Sequence, residues 1–221
     1  RFFISAERKY QFNTKKYKNQ HQVEKYNNFV NESFDIEFTA GVLLIHSSNL
    51  PKKHSPKLLG INPGASYGSS KRWYPKEFAS VATYLSKSYD IIIFGGIAEK
   101  NIAADIEKYL NQNGVENYQN LAGKTSISNL IRKIATLDLF ITGDSGPMHI
   151  ASALQIPTIS IFGSTNDKET SQWKNDKSLI VKKNLECQPC MKRTCPLQHH
   201  DCMNLIKSKD VVTAVEAIIA D

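Results

Sequence analysis

Residues 139–162 read LFITGDSGPMHIASALQIPTISIF. Two short apolar runs, 139–142 and 158–162, flank a glycine-bearing turn and a stretch of small and apolar residues. Runs this short are strands rather than helices, and their continuous apolarity is that of strands buried on both faces. Two parallel strands need a crossover between them, and the turn with about two helical turns of small and apolar residues supplies it. The segment therefore reads strand, tight turn, helix, strand, and it commits the chain to an α/β architecture.

The turn at 143–146 falls where the first strand ends. In open α/β sheets, ligands bind outside that carboxyl edge. Asp144 or Ser145 can cap the helix, Gly146 lets a ligand approach the backbone, and Pro147 suits the first helical position. The free N–H groups there would receive a phosphate. His149 lies in the first turn, near the same mouth. Asp144 is the odd charge, because a carboxylate repels phosphate unless it binds hydroxyls instead, as on a sugar.

The same alternation extends from residue 57 to the end. Strands are expected at 58–61, 90–94, 117–121 and 178–181. Helices are expected from Pro75 to about residue 87, at 99–110, at 126–135 with Ser126 as cap, and near 209–220. This spacing predicts a Rossmann-like, doubly wound parallel sheet with helices on both faces and right-handed crossovers. The polar loop 163–176 and a Cys-rich loop separate the last elements. Before residue 57 the pattern loosens. Val23, Tyr26, Asn27 and Val30 share one helical face in 21–34. Residues 35–56 read as a linker with a strand at 41–45, and His46 and His54 as solvated loop residues. The chain thus divides into 1–56 and 57–221. It begins with Arg1, and 1–34 reads as mid-protein chain, so an upstream portion is expected.

Net charge is +7. Residues 1–34 hold seven Lys/Arg against three Asp/Glu, so +4 of it sits there and +3 in the remainder. That balance suits an anionic partner or, more simply, a solvated basic face. The aromatic and glycine signature of an RNA-recognition motif is missing, which counts against nucleic acid. No apolar run approaches the roughly 18 residues of a membrane span, and no secretory signal is present.

Loop 62–71, NPGASYGSSK, follows a strand and precedes a helix. Gly64, Ser66, Gly68, Ser69 and Ser70 offer N–H groups and hydroxyls for phosphate oxygens, and Lys71 adds a point charge. The alternative is a flexible connection with a solvated Lys. Glu99, just past Gly95–Gly96, can accept from ribose hydroxyls or simply be a first-turn Glu favoured by the helix dipole. From physics alone the second reading leads. AGKT at 122–125 resembles a P-loop end, but Tyr118 stands where the first glycine is required. Cys187, Cys190, Cys195 and Cys202 follow C-x2-C-x4-C-x6-C, with His199 and His200 between the last two. The clustering is metal-like but lacks the wide gap between ligand pairs usual in zinc folds. Reduced packing thiols, a disulfide and zinc all stay open, and no metal or cofactor is required by the pattern.

Three stretches together resemble the lipopolysaccharide heptosyltransferase family of bacterial glycosyltransferases. They are NPGASYGSSKRWYP at 62–75, FGGIAEKNIA at 94–103 and GDSGPMHIASALQIPTISIFGST at 143–165. LAGKTSISNLIRKIATLDLF at 121–140, the Cys-bearing tail at 187–203, closest to the heptosyltransferase II branch, and HQVEKY at 21–26 add to the likeness. The resemblance implies a GT-B protein of two Rossmann-like domains, of which 57–221 would be the C-terminal, donor-binding one. Residues 1–56 would be the end of the acceptor domain and the join. The family reaction is inverting transfer of heptose from ADP-heptose to a heptose of the lipopolysaccharide inner core, without a metal. Carried over by position, Lys71 and loop 66–70 would hold the diphosphate. Glu99 would take the ribose, Asp144 the heptose, and Ser145, Gly146 and His149 would line the diphosphate side. Asp144 and Lys71 would be the catalytic pair here. The acceptor's base would lie in the part that no segment of this chain matches. The resemblance also implies a cytoplasmic protein that touches the inner membrane surface. Alternatives are a nucleotide-sugar enzyme of the same fold, such as a 2-epimerase, and a non-catalytic nucleotide- or RNA-binding module.

Overall fold

Along each central strand, odd and even residues go to opposite sides, and each side finds its own helices. A computed structural model describes residues 7–46, 51, 55–65 and 67–220. Its elements run α1 (Gln22–Phe34), β1 (Leu58–Asn62), α2 (Pro75–Leu85), β2 (Asp90–Ile93), α3 (Lys100–Gln112), β3 (Tyr118–Asn120) and α4 (Ile127–Ile134). They continue as β4 (Leu139–Gly143), α5 (Gly146–Ala153), β5 (Thr158–Ile161), α6 (Asp167–Thr170), β6 (Ser178–Val181), α7 (Asp201–Asn204) and α8 (Ser208–Ala220). Leu59, Ile61, Ile91, Ile93, Leu139, Ile141, Ile159 and Ile161 point to the side covered by α2, α3 and α8. Ile92 and Phe140 point to the other side, where Ile134 of α4 and Ala151 of α5 meet them. The period of two in the strands thus builds a three-layer sandwich.

All strand pairs are parallel, and the order is β3-β2-β1-β4-β5-β6. The chain winds outward from β1 through β2 to β3, then returns to lay β4 on the other side of β1. Between β1 and β4 the winding reverses, and their carboxyl ends face a crevice there. The register sets Asn62 opposite Thr142, so the loops that follow the two strands start side by side.

Three expectations change. Helix 99–110 starts as a tight 3₁₀ turn, Ile97–Glu99, before α3 begins. No strand forms at 41–45. The Gly41 carbonyl accepts from Trp173 Nε1 (2.7 Å) and the Ala40 carbonyl from the Lys174 ammonium, so the segment is tied by side chains rather than by a ladder. Helix α1 forms, but Tyr26 and Val30 of its expected inner face are exposed, and the buried residue is Lys25. That orientation brings Lys25 Nζ to 2.5 Å from Glu169 Oε2. His21 caps α1, accepting from the Val23 N–H and contacting the Ser171 carbonyl, while its ring lies 4.6 Å from that of Trp173. Of the aromatics before α1, which have no clean period, Phe12 packs on Tyr17 and on Tyr26 and Phe29 of α1. His54 and Ser66 lie outside the described residues.

Candidate functional site

Asn62, the last residue of β1, has a buried side chain that spans the crevice. Its amide reaches the Gly64 carbonyl (3.4 Å), Thr142 Oγ1 (3.3 Å) and Ser145 Oγ (3.2 Å). Thr142 Oγ1 and Ser145 Oγ are 3.1 Å apart. Ser145 occupies the N-cap of α5, but its hydroxyl turns to this network and makes no cap bond. The first N–H groups of α5 are left without a side-chain cap, at the positive end of the helix dipole. Gly146 is exposed, and a Cβ built there would meet no atom within 4 Å. Open space lies before this helix start.

The charge puzzle of Asp144 resolves locally. Its Oδ2 lies 2.6 Å from Lys71 Nζ and accepts from Thr165 Oγ1 at 2.6 Å. Both side chains are largely buried, at 13% exposure for Lys71 and 5% for Asp144. A buried carboxylate needs such compensation, and two partners supply it. Lys71 ends the 3₁₀ turn Ser69–Lys71, while the Asp144 turn comes from β4. The pair therefore bolts the two loops together at the switch point. Lys71 Nζ also lies 4.7 Å from the Tyr67 ring centroid. His149 sits within electrostatic range of Asp144, Lys71 and His21, and burial holds its imidazole below the usual histidine pKa despite the pull of Asp144. The neutral ring can donate or accept a hydrogen bond without bringing its own charge.

Glu99 closes the β2 side. It is buried, its Oε2 accepts from the Gly96 N–H (2.7 Å), and a Cβ on Gly64 would fall 2.2 Å from its Cγ. The turn-start role is thus real, and the carboxylate also lies directly against the loop after β1. Ser69 is exposed.

Gly68 and Ser70 serve another purpose than the one read from sequence. A Cβ on Gly68 would stand 2.2 Å from the Arg193 carbonyl oxygen, so its bare backbone admits the Cys-rich loop rather than a phosphate. The Ser70 N–H donates to the Arg193 carbonyl (3.1 Å), its hydroxyl donates to the Lys192 carbonyl, and Ser164 Oγ donates to it (2.9 Å). Its donors are spent inside the protein. The four thiols are free, and all four line one small cavity with Ser70 and Ser164. Burial, with the neighbouring thiols, pushes the Cys202 thiol up to about 11. The AGKT decoy is a surface turn whose Lys124 ammonium rests on the Asn120 carbonyl.

Sequence reasoning gave no role to Asn62, Thr142 or Thr165. The signal for Thr165 was its place just beyond the neighbouring strand β5, at the same sheet edge. No sequence signal marked Asn62 as a bridge, since its partners lie 80 and 83 residues away.

A doubly wound parallel sheet with a cation, a helix N-terminus and carboxylates gathered at its switch point is a Rossmann-like domain with a ligand crevice. The comparisons with known proteins give the family. Residues 5–200 match the model of glycosyltransferase family 9 (heptosyltransferase), and the chain belongs to that family. It is 40% identical over 222 residues to lipooligosaccharide heptosyltransferase 2 of Campylobacter jejuni, covering 98% of this chain and 69% of the relative. Lipopolysaccharide heptosyltransferase 2 of Escherichia coli is 33% identical over 107 residues, 48% of this chain and 31% of that protein. Among solved structures, the E. coli ADP-heptose LPS heptosyltransferase II superposes with a TM-score of 0.65 at 24% identity, over 91% of this chain and 53% of its own. A family 9 glycosyl transferase from Veillonella parvula gives 0.73 at 20%, over 92% and 61%. The chain thus spans about two thirds of its Campylobacter relative and about half of the solved E. coli enzyme.

Proposed function

We propose that this chain carries the donor half of an inverting heptosyltransferase, which moves heptose from ADP-heptose onto a heptose of the lipopolysaccharide inner core. The observation that carries the reading is the Lys71–Asp144 pair beside the uncapped start of α5, between β1 and β4. A pyrophosphate placed there meets backbone N–H groups, the helix dipole and an ammonium at once. Its arrival gives Lys71 a second anionic partner and frees part of Asp144 for the sugar hydroxyls. Glu99, against Gly64, accepts from the ribose in this reading. As the glycosidic bond breaks, negative charge grows on the departing ADP, and Lys71 with the α5 amides stabilises that charge in position. His149, kept neutral, lines the same side without adding charge. The acceptor hydroxyl must lose its proton to a base, which the resemblance assigns to the N-terminal domain of the longer enzyme. Residues 1–56 are read as the end of that domain and the join.

Among the described residues, no helix is long and apolar enough to cross a membrane. Work at the cytoplasmic face of the inner membrane, with the basic early segment toward an anionic acceptor, fits this reading. Titration calorimetry with ADP tests it. Saturable binding of one ADP per chain, with UDP at least tenfold weaker, is the expected outcome. Absence of ADP binding by a folded chain would sink the proposal.

A further inference from the structure

Between β6 and α7 no residue is in a helix or strand, and most of that stretch is exposed. An unbraced loop of this length is uncommon in a compact domain. Yet its backbone performs a demanding task. The carbonyls of Lys192 and Arg193 hold Ser70, that of Met191 accepts from the Tyr67 hydroxyl (2.7 Å), and the Met191 N–H donates to the Ser164 carbonyl (2.8 Å). Gln188 Nε2 donates to the Gly163 carbonyl (2.7 Å). The loop is pinned on the chain after β1 and on the chain after β5, the two segments that supply Lys71 and Thr165. Little apolar burial of its own explains that order.

Cys187, Cys190, Cys195 and Cys202 share the wall of one cavity of about 20 Å³ inside this loop. That is room for a single water-sized occupant. Thiols are poor hydrogen-bond partners for water and good ligands for a soft cation. The imidazoles are already engaged. His200 contacts the Ser70 carbonyl through Nε2 and the Tyr74 hydroxyl through Nδ1, and His199 Nδ1 accepts from the Asp201 N–H. Four sulfurs are left as the donor set, opened by a C-x2-C knuckle. As the side chains stand, no three such groups among the described residues converge on one point, and the thiols face a common cavity instead.

We propose that Cys187, Cys190, Cys195 and Cys202 rotate inward to bind one thiophilic dication, zinc in the first place, and that this ion staples the loop that fixes Ser70 and Gly68. Binding releases thiol protons. The site is structural, with all four positions taken by protein.

The 221-residue chain, purified under reductant without a metal-affinity resin, decides the matter. Elemental analysis should find about one zinc per chain, and apo protein reloaded with Co²⁺ should show the thiolate-to-cobalt charge-transfer and d–d bands of a tetrahedral sulfur site. Cys190→Ser and Cys195→Ser should each lower bound zinc at least fivefold. Should those variants fail to fold, the cobalt spectrum of the unaltered chain still decides. Four thiols that react at once with a disulfide reagent in the folded chain, with no zinc taken up on reloading, would overturn the proposal. So would an intact mass showing a disulfide after anaerobic purification. None of these readouts depends on glycosyl transfer, so the donor-site reading stands or falls separately.

Discussion

Two lysine–carboxylate pairs hold distant parts of this molecule together, and they differ in a telling way. Lys25 and Glu169 fasten α1 to α6 with the lysine at 7% exposure but the carboxylate at 32%. Lys71 and Asp144 join the loops after β1 and β4 with the carboxylate at 5% and a threonine hydroxyl on the same oxygen. The first pair has a wet side and touches no uncapped helix start. The second is nearly dry, and its carboxylate directly precedes the uncapped start of α5. An anchor needs only attraction between its partners. A donor site needs a cation that is held ready, desolvated and close to a second positive field. On the proposed reading, the contrast separates fastening from donor binding.

The largest effect that could break this contrast is on stability. Asp144→Ala strands a buried ammonium and should cost about 3 kcal/mol in urea unfolding. Lys25→Ala leaves a carboxylate with access to water and should cost about 1 kcal/mol. Equal losses would make the two pairs the same kind of object. Next comes binding. Lys71→Ala should weaken ADP at least tenfold in calorimetry, as expected for a lost charged hydrogen bond of about 1.5–3 kcal/mol. Lys25→Ala should leave the ADP affinity where it was, and a comparable drop there would remove the distinction.

Smaller still is the pH response. Burial holds both His149, near the site pair, and His21, near the anchor, below the ordinary histidine pKa. The native state therefore takes up fewer protons than the unfolded chain. Stability from this source is intact at pH 7.5 and falls as pH drops through the unfolded histidine value of about 6.5. His149→Gln should flatten part of that fall in thermal melts recorded from pH 7.5 to 5.5, and an unchanged slope would mean that His149 is not the buried group. The smallest effect is the most specific. Gly146→Ala meets no protein atom, so the melting temperature should hold or rise slightly. ADP affinity should still drop about threefold to tenfold if a phosphate approaches that backbone. Undiminished affinity would move the phosphate elsewhere.

The sheet was legible because its signals are local. The β-branched run at Asp90–Ile93, the apolar strands flanking the Asp144 turn, and Ser126, whose hydroxyl does accept from the Asn129 N–H, each act within a few residues. A parallel sheet puts every loop that follows a strand at one edge, and the pairing of β1 with β4 sets their two loops side by side. What escaped was decided at long range. Lys71 was read as a free charge, yet its partner lies 73 residues on. The glycine and serine of the loop after β1 were read as phosphate ligands, yet Gly68 and Ser70 are matched to carbonyls more than 120 residues away. The face of α1 was assigned from apolar spacing, yet the buried residue is Lys25, whose partner Glu169 lies 144 residues on. Spacing alone also left the four thiols ambiguous, and their common cavity is the long-range fact on which the metal proposal rests.

The position of β4 has a consequence for how the chain is made. During synthesis β1, β2 and β3 emerge first and can pair, but the inner flank of β1 stays bare until residues 139–143 arrive. Until then the nascent sheet exposes a naked edge open to misassociation. The crevice itself does not exist before that docking, since one of its walls has not been delivered. Ligand competence would therefore report the docking of β4, because the β1–β4 seam is the one on which the donor reading depends.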